Sequence, residues 1–414
     1  MNKRTSLTLT LVCLLLGFAL LAATVISSQS FNDVLFFPSQ QRASIIAANA
    51  QQEGTLRMFL FTNSYLFLAV GAALLAAGFW FLSQFNLHSE RSRKAVRLLM
   101  TEYRPLFILV IAILLFSALS ARFLTILNFT NIFKQISHYA ILAAGVYFAI
   151  LLGGIDISVG SVLAFSGAMA AVIIRAMPDT PWAAALAVVA ALLVGLAAGM
   201  FNGLFISAFS LQPMIVTLAT MSIFRGATLV LTSGVAISIA GSRYAGASVI
   251  TALGQKTLLG GYLPAPIILM VLVYAVVYYV LNRTPFGRHM YAIGGNEEAS
   301  LLSGINVFRT KMIAYTTSGL LAAVAGILVL GRVASATPTA GQGYEMDAIA
   351  SVVIGGTSLR GGEGKVLYTI VGALIIGMLN NIQTLTGVDS YYQTIIKGIV
   401  ILLAVLLDAR TSKK

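Results

Sequence analysis

Apolar runs of about 20 residues recur along this chain, and the short stretches between them hold most of its charge. A run of that length, rising about 1.5 Å per residue in a helix, crosses the roughly 30 Å hydrocarbon core of a bilayer. The pattern predicts twelve spans, near 7–27, 58–83, 105–122, 138–153, 159–176, 182–203, 213–232, 264–282, 312–331, 345–358, 366–385 and 393–408. Barrel strands would leave short segments of alternating polarity, which the chain does not show. The expected fold class is therefore an all-α polytopic membrane protein.

Composition supports this reading. Of 414 residues, 58% are hydrophobic and 9% charged, far from the balance of a soluble domain. The net charge of +13 does not point to nucleic acid, because the basic residues are scattered through loops and no basic domain carries interleaved aromatics. They serve better to orient the chain. With Lys3 and Arg4 in the cytoplasm, the loops on that side include Arg283, Arg288, Arg309 and Lys311 and hold twice the Lys and Arg of the opposite loops. Cys13, the single cysteine, cannot form a disulfide within the chain. The first apolar run, Leu7 to Ile26, exceeds a usual signal-peptide core and reads as an uncleaved helix. Residues 1–100 read as a two-helix N-terminal extension with a basic cytoplasmic linker, and 101–414 as the core.

Two stretches share a pattern in which an apolar helix ends in Gly-Gly, a polar turn follows, and a new helix begins: GGIDISVGS at 153–161 and GGTSLRGGEGKV at 355–366. Asp156 in the first either caps a tight turn, bonded by Ser158 and Ser161, or lines a transport path. Glycines 195, 199 and 203 lie four apart on one helix face, where they admit a close neighbour, with Asn202 beside them. The second stretch fails as a phosphate loop, since Leu359 and Val366 stand where a glycine and a Ser or Thr are needed. HExxH, CxxC and GxSxG are absent and the three histidines are scattered, so neither catalysis nor a metal site is expected. No row of acids marks an ion relay. The polar interruption RTPFGRHMYAIGGNEEASLLSGINVFRTK at 283–311 is amphipathic, with an Asn296 cap, Glu297 and Glu298 in a first turn, and an apolar side at Leu301, Leu302 and Ile305. Such a helix seats in a groove of another protein or lies on lipid headgroups.

The segments GGIDISVGSVLAFSGA, GRHMYAIGGNEEASLLSGINV, PTAGQGYEMDAIASVVIGGTSLRGGEGKV, LIIGMLNNIQTLTGV and SYYQTIIKGIVILLAVLLD closely resemble the permease subunits of ribose-type ABC importers, in the right order from about Tyr103 to Asp408. The resemblance implies a core of about ten helices in the bacterial inner membrane. Its partners would be a cytoplasmic ABC ATPase, a periplasmic sugar-binding protein and a second permease copy or paralogue. ATP and magnesium would belong to the ATPase, with no cofactor on this chain. It also implies an ATPase-coupling loop at Phe286, Gly287, Arg288, Gly294, Gly295, Asn296, Glu297, Glu298, Leu301, Gly304 and Arg309. Asp156, Asn202, Gln212, Asn380, Asn381 and Gln383 are the candidate lining of a monosaccharide path. The competing reading is an ion-coupled carrier of a small polar solute. Residues 1 to about 100 depart from the family pattern, which leaves their role open.

Overall fold

The computed structural model describes residues 103–411, apart from 121, 179, 181, 242–243 and 259–262. The N-terminal extension, its two expected spans and Cys13 lie outside the described residues. Thirteen helices and four two-residue strands follow one another there. They are α1 (Arg104–Leu119), α2 (Ile126–Leu151), α3 (Val159–Ala176), α4 (Ala183–Ala208), α5 (Pro213–Thr232), β1 (Ile237–Ser238), α6 (Ala247–Gln255), β2 (Thr257–Leu258), β3 (Leu263–Pro264) and α7 (Ala265–Arg283). The order continues with α8 (Pro285–Gly295), α9 (Glu297–Leu302), α10 (Val307–Val333), β4 (Ser335–Ala336), α11 (Tyr344–Ile354), α12 (Val366–Leu385) and α13 (Ser390–Thr411). Among the described residues, 6 helices are long and apolar enough to cross a membrane: α3, α4, α5, α7, α10 and α12. The chain is an all-α polytopic membrane protein.

The chain divides into two compact units, one of residues up to Phe129 with Ile382–Val388 and one of Thr130–Asn381 with Asp389–Lys414. In the first, Phe123 is fully buried, its ring 5.7 Å from that of Phe116, and Asn128 Nδ2 donates to Phe123 O at 2.8 Å.

The second unit is organised around α10. Gly195 and Gly199 on α4 face Gly319 and Tyr315 on α10 so closely that a Cβ on either would come within 2.4 Å of a carbonyl oxygen. Further along α10, Gly326 meets Leu163 and Gly331 meets Ile250 in the same way. Lipid tails are as apolar as Leu, so close dispersion contact rather than the hydrophobic effect holds these helices together. We expect Gly199→Leu to prise α4 from α10 and cost about 1–3 kcal/mol through overpacking, read as a lower melting temperature in detergent.

Several expected spans differ from the helices. α2 starts twelve residues before the expected span, because Asn128, Thr130, Lys134 and Gln135 take helical positions instead of ending the run. The expected span 345–358 is replaced by α11, whose 11 residues reach only about 16 Å, half a bilayer core. The short helix α6 and the strand pairs β1–β4 and β2–β3 are additions that hydropathy does not mark.

Candidate functional site

Three turns meet at one end of the second unit. After α2 the chain turns at Gly153, which has φ +75. Leu151 O, at the end of α2, accepts a hydrogen bond from Gly362 N at 2.9 Å, which ties in the turn before α12. Gly294 on α8 presses on the same place, where a Cβ would come within 1.9 Å of Leu151 O and 2.4 Å of Gly362 N. Tyr291 on α8 donates to Gly364 O at 3.0 Å, and its hydroxyl lies 3.0 Å from that of Tyr147 on α2. Phe286 packs against Phe148, and Gly287 sits under Leu281 O with no room for a side chain. The loop 283–311 is thus wedged against both Gly-Gly turns.

The tip of that loop projects outward. Asn296 Oδ1 accepts from Ala299 N at 2.9 Å and caps α9, whose first turn carries Glu297 and Glu298 where negative charge is favoured. Gly304, with φ +79, ends α9 in a Schellman turn: Ile305 N donates to Ser300 O at 3.1 Å and Gly304 N to Leu301 O at 3.0 Å. Asn306 then caps α10 through Arg309 N. Glu297 pairs with Lys311 at 2.7 Å. Gly295, Arg288 and Arg309 are exposed, and between the charges Leu301 is 64% and Leu302 89% exposed. Two bare leucines thus stand as an exposed apolar knob on a capped turn.

The residues expected to line a path fall into separate places. Beyond Gly153 the chain passes through a non-helical segment at 154–157 before α3 begins. Asp156 Oδ2 accepts from Ser318 at 2.7 Å, and Ser318 also abuts Gly145, six residues or about 9 Å before the end of α2. Asp156 Oδ1 accepts from the N–H and hydroxyl of Ser158, at 3.0 and 2.6 Å. Asn202 on α4 donates to Ser158 Oγ at 2.9 Å and accepts from Thr220 on α5 at 2.6 Å. Non-helical backbone inside a membrane protein must be satisfied by its neighbours, and Thr217 supplies one such bond to Ile155 O at 3.1 Å. Asp156 and Asn202 thus share one buried network that ties α3, α4, α5 and α10 together. Asp156→Ala should strand Ser158 and Ser318 and cost about 1–3 kcal/mol, whereas Asp156→Asn should cost less; denaturation in detergent compares them.

Asn380 belongs to a second network, donating to Asp347 Oδ2 at 3.2 Å, and Lys397 on α13 donates to the same oxygen at 3.1 Å. Asn381 is half-buried on a neighbouring face of α12, and Gln212 is exposed at the start of α5. Gln383 is buried in the first unit. Sequence reasoning missed Asp347 and Glu345 as site residues. Their signal was two acids in the first turn of a helix opening after a glycine, in an otherwise apolar stretch.

A family described as "Branched-chain amino acid transport system / permease component" matches residues 128–405. The ribose import permease protein RbsC of Bacillus subtilis is 45% identical over 327 residues, covering 79% of this chain and 98% of the relative. The D-allose transport system permease protein AlsC of Escherichia coli is 39% identical over 78% of this chain and 97% of its own length. The L-arabinose transport system permease protein AraH of Escherichia coli is 36% identical, with coverage of 75% and 92%. No solved structure matches.

Proposed function

This chain belongs to that permease family, and on that premise we propose that it is the transmembrane subunit of an ATP-driven importer that carries a monosaccharide across the bacterial inner membrane. The family description names branched-chain amino acids, but relatives that align along nearly their whole length are named for ribose, allose and arabinose. The chemistry that separates these sugars from amino acids is a neutral body with several hydroxyls, and it guides the choice.

One observation carries the mechanism: the exposed Leu301–Leu302 knob is rigidly joined, through Gly294 and Tyr291, to the turns that end α2 and precede α12. Arg283, Arg288, Arg309 and Lys311 flank the knob and support a cytoplasmic position for it by the positive-inside rule. A cytoplasmic ATPase grips this knob. Its ATP-driven closure moves α8 against both turns and shifts the permease between outward and inward access, which requires that ATP favour one of the two states. A periplasmic binding protein delivers the sugar, and a second permease copy or paralogue completes the path. The chain itself hydrolyses nothing; ATP and magnesium sit in the partner.

Purification of the tagged chain from its own membranes tests the reading. An ABC ATPase subunit should copurify, and its hydrolysis should rise when the sugar-loaded binding protein is added. A chain that purifies with no ATPase in mild detergent contradicts it.

A further inference from the structure

Arg225 on α5 and Glu345 on α11 lie outside both networks described above. Arg225 Nη1 donates to Pro338 O at 3.1 Å and Ala340 O at 2.7 Å, the carbonyls of the irregular segment before α11. Glu345 Oε1 accepts from Gly343 N at 3.2 Å. Its other oxygen lies against Gly160, where a Cβ would come within 2.3 Å of it. Gly160 is in the first turn of α3 and Glu345 in the first turn of α11, so the carboxylate sits where two helix N-termini meet, each favouring negative charge.

The two side chains attract one another but do not close into a direct ion pair. Both are half-buried. A guanidinium has five N–H donors; the two on Nη1 meet carbonyls, and among the described residues those on Nε and Nη2 meet no acceptor. An arginine midway along an apolar helix, with donors left over, is costly unless something polar reaches it. Tyr344, next to Glu345 in the chain, meets Tyr139 edge-on with ring centroids 4.8 Å apart and lies tilted against His138 at 5.7 Å. His138 is 1% exposed, and its Nε2 has no hydrogen-bond partner.

We propose that Arg225 and Glu345 form a recognition station for the hydroxyl groups of an uncharged sugar passing through the permease. Each sugar hydroxyl accepts and donates at once. The spare guanidinium N–H groups donate to hydroxyl oxygens, and the carboxylate accepts a hydroxyl proton, so vicinal hydroxyls match the pair. Because the pair carries no net charge, a neutral ligand leaves its charge balance intact, whereas a charged one would leave one partner unbalanced. This station rests on the importer reading and adds selection within the permease to selection by the binding protein.

The test uses the complete importer in proteoliposomes, with D-ribose and 2-deoxy-D-ribose as probes and the same binding protein throughout. A change in the import ratio of the two sugars therefore arises in the permease. Glu345→Gln keeps the oxygen that Gly343 needs, and Arg225→Lys keeps the charge while losing the fork. In both we expect ribose import to fall about tenfold, as for a lost charge-assisted hydrogen bond. The ribose preference should collapse, while basal ATP hydrolysis and melting temperature stay near wild type. Arg225→Met risks the fold by orphaning Pro338 and Ala340, so the other two variants decide. Wild-type rates in both variants, or a uniform loss with an unchanged ratio, overturn the station and leave the importer reading standing. A wild-type complex that imports neither these sugars nor D-allose or L-arabinose removes the importer reading itself, and the station with it.

Discussion

Leu301→Asp combined with Leu302→Asp should abolish ATP-driven import while the permease still folds and inserts. Both side chains are largely exposed, so their loss removes no core contact, and Asp in a six-residue helix already rich in acid at its start adds charge at the wrong end. What the change removes is the apolar knob, and a pair of leucines seated in a partner's groove contributes about 1.5–3 kcal/mol each. Loss of both should weaken ATPase binding by about two to four orders of magnitude. Size-exclusion chromatography of the complex and the initial import rate measure it. A complex that stays assembled and imports at the wild-type rate would show that the tip is not the docking surface.

Lys397→Met should destabilise the second unit by about 3–5 kcal/mol, since it leaves a buried carboxylate without its cation. Asp347 is 1% exposed and shares Oδ2 between Lys397 and Asn380. α13 carries no fully buried residue over the part whose side chains are described, and its ion pair to Asp347 is its polar anchor to α11. The double variant Lys397→Met with Asp347→Asn removes the charge together with its partner and should recover most of the loss. A double-mutant cycle on thermal unfolding then reads the coupling between them. Additive losses would mean that the pair contributes nothing as a pair.

Local signals in the chain were legible in its sequence, and long-range contacts were not. The spans at 159–176, 213–232 and 366–385 coincide with α3, α5 and α12, because an apolar run bounded by Pro, Gly or a polar turn has one physical solution in lipid. The Asn296 cap, the acidic first turn after it and the apolar Leu301–Leu302 side were equally legible, since capping depends on residues three apart. α11 was not. An apolar run near 14 residues long does not reveal that its last four residues leave the helix and that Glu345 in its first turn rests against Gly160. The tight seat of Gly294 on Leu151 and Gly362 joins residues far apart in the chain, and only the fold brings them together. For the same reason Asp156 and Asn202, chosen separately as polar residues in spans, proved to share one hydrogen-bonded network, while Gln212 and Gln383 lie elsewhere.

On the proposed function, ATP acts through a partner gripping the 283–311 loop to drive a monosaccharide across the membrane. The most direct test is uptake of radiolabelled D-ribose, D-allose and L-arabinose into proteoliposomes holding the permease, its ATPase and the binding protein. The account predicts accumulation of one of these sugars that requires ATP and the binding protein and is indifferent to proton or sodium gradients. Uptake by the permease alone, driven by an ion gradient without ATP, would contradict it.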